Sequence, residues 1–269
     1  MQLSVKEKER LLSKYGEWAI VTGASSGIGL AIARQLASAG FNLIINARNG
    51  AQLEKLQKEL SFNYAVEVKP AVADLSEAEG VEKLIFLSKG LKVGLLVNNA
   101  GYGSSGLFVS SSLPVELNML RVNCEAVLSL SHYFAQRFKE QKRGGIIFMS
   151  SLVAFQGVPY AAHYAATKAY IQSFAEGLAA ELKPFNVAVL AAAPGPVESG
   201  FGKRANMQMG KALLPDKISG PILKALGKRR TVVPGLFSKV LVYSLRTMPR
   251  FVKIKIMQQV MGGFTAHQR

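Results

Sequence analysis

Three residue types capable of proton chemistry stand at fixed intervals in the second half of the chain: Ser151, then Tyr164 twelve intervening residues later, then Lys168. Tyr164 and Lys168 are four apart within a helical pattern, so they share one face. Tyrosine ionises near pH 10, and acting as an acid or base near neutrality asks for a shift of about three units, or about 4 kcal/mol. A neighbouring ammonium supplies part of that shift. A serine hydroxyl at the end of the preceding strand can hold a carbonyl oxygen by a hydrogen bond. Tyr-x-x-x-Lys alone recurs by chance on solvated helices, so the reading depends on what positions these groups.

A second stretch supplies that context. Thr22-Gly23-Ala24-Ser25-Ser26-Gly27-Ile28-Gly29 follows the apolar run Trp18–Val21 and precedes a helical pattern over Leu30–Ala39. Gly23 and Gly27 let the backbone turn sharply and approach a ligand, and Gly29 allows close packing of helix on strand. Unpaired N–H groups and the positive dipole end of the helix attract an anion, which is the physical basis for holding a dinucleotide pyrophosphate.

The elements that must carry these groups alternate. Strands are expected at Phe41–Asn46, from Tyr64–Val68 to an end near Val72-Ala73-Asp74-Leu75, and at Gly94–Val97, Ile146–Met149 and Val187–Ala191. Helices are expected over 51–60, 76–89, 114–140 and 160–182. Continuous apolar strands between amphipathic helices predict an α/β fold, a doubly wound parallel sheet covered on both faces, with ligands outside the carboxyl ends of its strands. One domain over 1–269 is expected, flanked by a short amphipathic helix in residues 2–16 and by a lid and basic helical extension in 200–269. Within that extension, 200–230 reads as an irregular, mobile segment beside a substrate pocket.

Composition narrows the class. With a single cysteine, Cys124, no intrachain disulfide can form, and a reducing, cytoplasmic setting is expected. Met1 to Gly16 is too polar for a signal core, and no uninterrupted apolar span suffices for a bilayer. The net charge of +16 is uneven: residues 201–269 hold 14 of the 33 Lys/Arg and one of the 17 acidic residues. Such a run suits a solvated face, an anionic substrate or carrier, or an anionic membrane surface. Nucleic acid ranks last, because no binding module accompanies it.

Taken in order, Thr22-Gly23-(3)-Gly27-Ile28-Gly29, Asn98-Asn99-Ala100-Gly101, Asn123, Ser151, Tyr164, Lys168 and Pro194-Gly195 resemble the short-chain dehydrogenase/reductase family over about residues 16–200. The resemblance implies a Rossmann-type fold, a nicotinamide dinucleotide and hydride transfer at a carbonyl/alcohol carbon. It implies that Tyr164 is the proton donor and that Lys168 orients the nicotinamide ribose and depresses the tyrosine pKa, with the cationic nicotinamide adding to that effect. Ser151 would polarise the substrate, and Asn123 would kink its helix and hold a relay water. Cofactor contacts are expected from Gly23, Ser25, Ser26, Gly27, Ile28 and Gly29; from Arg48, Asp74 and Leu75; from Asn99, Ala100 and Gly101; and from Pro194, Gly195, Val197 and Ser199, besides Tyr164 and Lys168. The second strand ends in uncharged Ala47 followed by Arg48, which can pair with a 2′-phosphate, so NADPH is expected over NADH.

A narrower similarity, carried by Lys14–Gly23 and Gly90–Asn99, points to very-long-chain 3-oxoacyl-CoA reductases and related hydroxysteroid dehydrogenases. The turn Pro194-Gly195-Pro196-Val197-Glu198-Ser199 departs from that pattern, with Ser199 where a threonine is usual. That branch also normally carries a membrane-inserted leader, which Met1–Gly16 does not resemble. The expected substrate is an apolar carbonyl or alcohol, acyl-chain or polycyclic, with a basic rim suited to coenzyme A or an acidic carrier. The expected assembly is a homodimer or homotetramer through the long helices. The alternative is a non-catalytic NADP(H)-binding redox sensor. Cys124 reads as structural and His163 as structural or at the pocket rim, and three scattered histidines with one cysteine give no metal-ligand spacing. Leu236–Met261, apolar and basic around Pro249, is either a lid and subunit contact or an interfacial helix at a membrane.

Overall fold

The computed structural model describes residues 2–210 and 212–268, and the side chain of Phe237 stands outside that description. Two of the C-terminal basic residues, Lys211 and Arg269, therefore lie outside the described residues. Among the described residues one seven-stranded parallel sheet has the order β3-β2-β1-β4-β5-β6-β7. The strands are β1 (Trp18–Val21), β2 (Asn42–Ala47), β3 (Val68–Val72), β4 (Val93–Asn98), β5 (Gly144–Met149), β6 (Val187–Ala192) and β7 (Thr231–Val232).

Strand periodicity explains the two-sided core. Ala19, Val21, Leu43, Ile45, Leu95 and Val97 face one side, where α1 (Val5–Tyr15), α2 (Gly27–Ala37) and α9 (Pro215–Ala225) cover them. Trp18, Ile20, Ile44, Leu96, Ile146 and Phe148 face the other, under α4 (Ala78–Leu87), α6 (Ala126–Gln141) and α7 (Ala162–Glu181). Both faces are buried, so each strand reads as one apolar run. Because β1 pairs with β2 on one side and β4 on the other, the connections reverse direction there. A crevice at the carboxyl ends follows from that reversal.

Two expectations are corrected, the start of the third strand and the irregularity of residues 200–230. The third strand ends near Val72 as expected but starts later than Tyr64: α3 (Gly50–Tyr64) continues the Leu53, Leu56, Leu60 stripe to Tyr64, and Ala65 ends it with φ 52°. The strand begins at Val68 and contains Pro70, which is tolerated because β3 lies at the sheet edge. Residues 200–230 are not irregular throughout, since they form α8 (Phe201–Arg204) and α9. Helix α9 is pinned by a buried hydrogen bond in which Gln35 Nε2 donates to Ser219 Oγ at 2.6 Å. The helix expected over 114–140 is present and runs without a break as α5 (Leu113–Leu120), a π-helical stretch at Arg121–Glu125 and α6, with α-helical backbone angles kept at Leu120, Arg121 and Ala126. The two-residue β7 was too short to show any alternation.

The terminal elements close the fold. Helix α1 buries Leu11 and Tyr15, and Arg143 caps its C-terminal carbonyls at Leu12, Ser13 and Lys14. The C-terminal stretch forms α10 (Leu236–Arg246) and α11 (Arg250–Phe264), broken at Pro249. A third apolar cluster, with Met119, Leu152, Tyr164, Leu245, Met257 and Met261, places these helices over the carboxyl end of the sheet.

Candidate active site

The crevice at the strand ends is a cleft of 1070 Å³. That exceeds the about 300–1,000 Å³ of a pocket for one small ligand. Its wall includes Gly23, Ser25, Ser26, Gly27 and Ile28, then Arg48, Asp74 and Leu75, then Asn99, Ala100 and Gly101. Ser151, Tyr164, Lys168, Pro194, Gly195, Val197 and Ser199 complete the expected set. Of the anticipated residues only Gly29 and Asn123 do not line it, and both stand directly behind the wall.

The glycine loop is shaped by close approach. Gly23 and Gly27 have φ of 64° and 59°. A Cβ on Gly23 would lie 2.9 Å from Ala100 Cα, and one on Gly27 would strike Ser199. At Gly29 a Cβ would collide with the Gly23 carbonyl and the Asn99 amide. Thr22 ties the loop to β4: its hydroxyl accepts from the N–H groups of Asn99 and Ala100, both at 2.9 Å, and Asn99 Nδ2 donates to the Thr22 carbonyl. Ser26 leaves the first turn of α2 without a side-chain cap. The helix therefore opens onto the cleft with the bare N–H groups that suit a pyrophosphate, and the site fits a dinucleotide.

At the Arg48 end of the cleft, Asp74 Oδ1 accepts from the Ser76 N–H and hydroxyl, both at 2.9 Å. Partial burial works to raise the Asp74 pKa, but the Ser76 hydrogen bonds and the Arg48 guanidinium outweigh it and hold the carboxyl below its usual range. Arg48 Nη1 is 3.5 Å from Asp74 Oδ2 with its side chain 69 % exposed. A long contact in solvent is weak, and Arg48 is free to turn toward another anion.

The reacting end is drier. Lys168 is buried on α7, and its Nζ donates to the Met149 carbonyl at 2.9 Å and stands 5.9 Å from the Tyr164 ring centre. Burial pushes the Lys168 ammonium down to about 8. Burial also pushes Tyr164 up to about 12, against a hydrogen bond with the Ser151 side chain. The expected lowering of Tyr164 by Lys168 is thus absent from the protein alone. The ammonium sits over the ring and close to a carbonyl, and desolvation dominates.

Asn123 occupies the π-type turn and is fully buried. Its Nδ2 donates to the Tyr102 carbonyl at 2.9 Å and to Thr167 Oγ1 at 3.0 Å, while its Oδ1 accepts from Tyr102 N–H at 3.1 Å. Both side-chain donors are engaged, so this amide braces the loop after β4 against α7. Gly101 fits only because it lacks a Cβ, which would lie 2.8 Å from Asn123 Oδ1. Ser199 turns its hydroxyl to the Val197 carbonyl at 3.3 Å. Cys124 is buried in the same turn, where desolvation raises its thiol to about 11.

Several contributors carried no sequence signal. His163 Nδ1 meets the buried Glu116 carboxylate at 2.6 Å, clamping α5 to the first turn of α7 beside Tyr164. Tyr102 donates its hydroxyl to Asn118 Oδ1 at 2.7 Å. The far half of the cleft is apolar, with Met207, Leu241, Met257, Val260, Met261 and Phe264 in its wall. The four-residue spacing of Met257 and Met261 could have marked a buried stripe, but nothing in it names the surface covered. Among the described basic residues of 201–269, only Arg204 lines the cleft, so the expected basic rim is not assembled around it.

Known proteins match this architecture. The short chain dehydrogenase family model matches residues 17–210. A 7beta-hydroxysteroid dehydrogenase from Clostridium sardiniense is 32% identical over 226 residues, covering 82% of this chain and 87% of that protein. A very-long-chain 3-oxoacyl-CoA reductase from Podospora anserina is 37% identical over 185 residues, and the match spans 67% of this chain and 54% of the relative. Among solved structures, one reported for 7beta-hydroxysteroid dehydrogenase stereoselectivity superimposes with a TM-score of 0.85 at 27% identity, covering 92% of this chain and 98% of that one. A Sphingobium yanoikuyae short-chain dehydrogenase in complex with NADPH gives 0.79 at 29% identity, covering 85% and 92%. The matched residues contain the glycine loop and the serine, tyrosine and lysine of the cleft, and the chain belongs to the short-chain dehydrogenase family of oxidoreductases acting on CH–OH and C=O groups.

Proposed function

We propose that this protein is an NADPH-dependent reductase of a bulky, apolar ketone, of the size and polarity of a steroid, working in one folded domain. The observation that carries the reading is the division of the cleft: the glycine loop and Arg48 at one end, Met207, Met257, Met261 and Phe264 at the other, and Ser151, Tyr164 and Lys168 where the halves meet. Arg48 would hold the 2′-phosphate, the uncapped first turn of α2 the pyrophosphate, and Asp74 the adenine amine. When bound, the nicotinamide supplies the hydride.

The remaining chemistry belongs to the side chains. Ser151 donates a hydrogen bond to the carbonyl oxygen and Tyr164 gives it a proton. Lys168, already anchored to the Met149 carbonyl, has two further N–H donors for a ribose and adds positive charge beside the tyrosine. Burial, which pushes Tyr164 up to about 12, keeps its proton in place at neutral pH as a proton donor requires, and the positive charge that would develop on the nicotinamide as the hydride leaves would ease its release. Asn123 keeps Tyr102 and α7 in register, and one Oδ1 lone pair remains for a relay water. The wall residues exclude bulk water from the reacting oxygen.

A second substrate reading, a 3-oxoacyl thioester, is favoured by the similarity to the Podospora anserina reductase and by Arg204 in the wall. The test is NADPH consumption with a ketosteroid/hydroxysteroid pair and a graded series of 3-oxoacyl-CoA thioesters. Turnover of the ketosteroid supports the first reading, and turnover rising with acyl chain length replaces it with the second. Tyr164→Phe is expected to abolish turnover while cofactor binding persists. Bound NADPH with no turnover of any ketone would return the redox-sensor alternative. Exposed Leu113, Val115, Leu117, Leu120 and Leu128 on α5 and α6 support a homo-oligomeric contact on that side.

A further inference from the structure

Helix α10 is a wall with two apolar sides. Inward, Leu241 lines the cleft and Leu245 is buried, and Ser238 packs so closely on Gly195 that no Cβ fits there. Outward, Leu236, Val240 and Tyr243 stand 79%, 60% and 58% exposed, at the spacing of a single helical stripe. Past Pro249, at the start of α11, Phe251 is 73% exposed as well. Lys239, Arg246 and Arg250, all exposed, flank it, and Lys253 and Lys255 follow. None of these five takes part in an ion pair among the described residues, and no acidic residue follows Asp216 in the sequence. The basic character of the C-terminus, absent from the cleft apart from Arg204, is thus partly gathered around an exposed apolar stripe.

We propose that the outer face of α10 and the first turn of α11 dock on an anionic membrane surface, and that the cleft takes its apolar substrate from that surface. The second half rests on the substrate reading above, whereas the first does not. An apolar stripe bordered by cations matches the acyl boundary and anionic headgroups of a lipid leaflet. No described helix is long and apolar enough to cross a membrane, so contact is interfacial. A second copy of this chain is a poorer occupant: across a two-fold axis the patch would meet itself and set its basic flank against an identical one. The inward side of the same helix borders the substrate half of the cleft through Leu241, so the proposed membrane face and the cleft share one wall.

The test is flotation of the full chain, without substrate, with phosphatidylcholine vesicles and with vesicles also containing phosphatidylglycerol. Binding is expected only to the latter and should be released by salt. Lys239→Glu and Arg246→Glu should each weaken it by at least about five-fold, the worth of one lost positive charge. Val240→Asp combined with Phe251→Asp should abolish it, with circular dichroism and NADPH binding unchanged, while Phe62→Asp on α3 leaves it intact. Three results would overturn the proposal: no flotation with anionic vesicles; flotation indifferent to both sets of changes; or a fall in oligomer size, instead of lost flotation, in the Val240/Phe251 variant. Because flotation needs no ketone, its failure is distinguishable from failure of the substrate reading.

Discussion

Replacing Lys168 by methionine should make the ligand-free protein more stable while ending its turnover. The Lys168 side chain is buried, and its ammonium is pushed from 10.5 to about 8. That difference corresponds to about 3 kcal/mol of unfavourable burial at neutral pH. Methionine fills a similar volume without charge but forfeits the bond to the Met149 carbonyl, a loss of about 1 kcal/mol. The net gain is about 2 kcal/mol, or a Tm increase of about 4–8 °C for a chain of this size. The pH dependence separates this cause from general repacking. Below pH 8 lysine is charged in both folded and unfolded states, and the penalty is full. Between pH 8 and 10.5 the folded state loses its proton first, the unfolded state binds more protons, and wild-type stability rises relative to the variant. At pH 10 the charge penalty falls below about 1 kcal/mol, and the two proteins converge. Tyr164 loses stability on the opposite slope, between 10 and about 12, but it does so in both proteins and drops out of the difference. Urea unfolding of both proteins at pH 7 and pH 10 supplies the measurement. A variant less stable at pH 7, or an advantage independent of pH, would refute the reasoning.

Arg48→Ala should raise the KM for NADPH by about ten- to a hundred-fold, the worth of one or two charge-assisted bonds, with NADH nearly unaffected; equal effects on both cofactors would remove the 2′-phosphate role. Gly29→Ala should destabilise by about 2 kcal/mol or more and weaken dinucleotide binding, because the new methyl meets the Gly23 carbonyl; an unchanged Tm would show that α2 can shift freely. Glu116→Ala should lower stability by about 2 kcal/mol, by leaving His163 without its partner and opening a gap between α5 and α7; denaturant midpoints showing no loss would mean that the clamp carries no strain-bearing contact.

The chemistry-bearing residues were legible because their signals are local. Gly23, Gly27 and Gly29 sit within one turn, and Tyr164 and Lys168 on one helical face, so neighbours along the chain constrain them. The positions of the strands along the chain were legible because a strand buried on both faces must be apolar throughout, as Val93–Asn98 and Gly144–Met149 are. Boundaries failed where local signals conflict: the Leu53, Leu56, Leu60 stripe extended α3 over residues read as strand, and Pro70 obscured the strand that followed.

Sequence alone placed the glycine turn and Ser151 at the carboxyl ends of strands and Tyr164 and Lys168 on one helical face, and the family resemblance implied that these groups meet at one site. Only the tertiary structure decided the electrical state and the walls of that place. Burial depends on atoms distant in sequence, and it drives Tyr164 up and Lys168 down where the residue types alone suggested the tyrosine would fall. The same long-range packing buried Glu116 against His163, sent Met257 and Met261 over the cleft, and turned Leu236, Val240 and Tyr243 outward. An amphipathic pattern specifies that a face will be covered, and what covers it is settled only when the whole chain has folded.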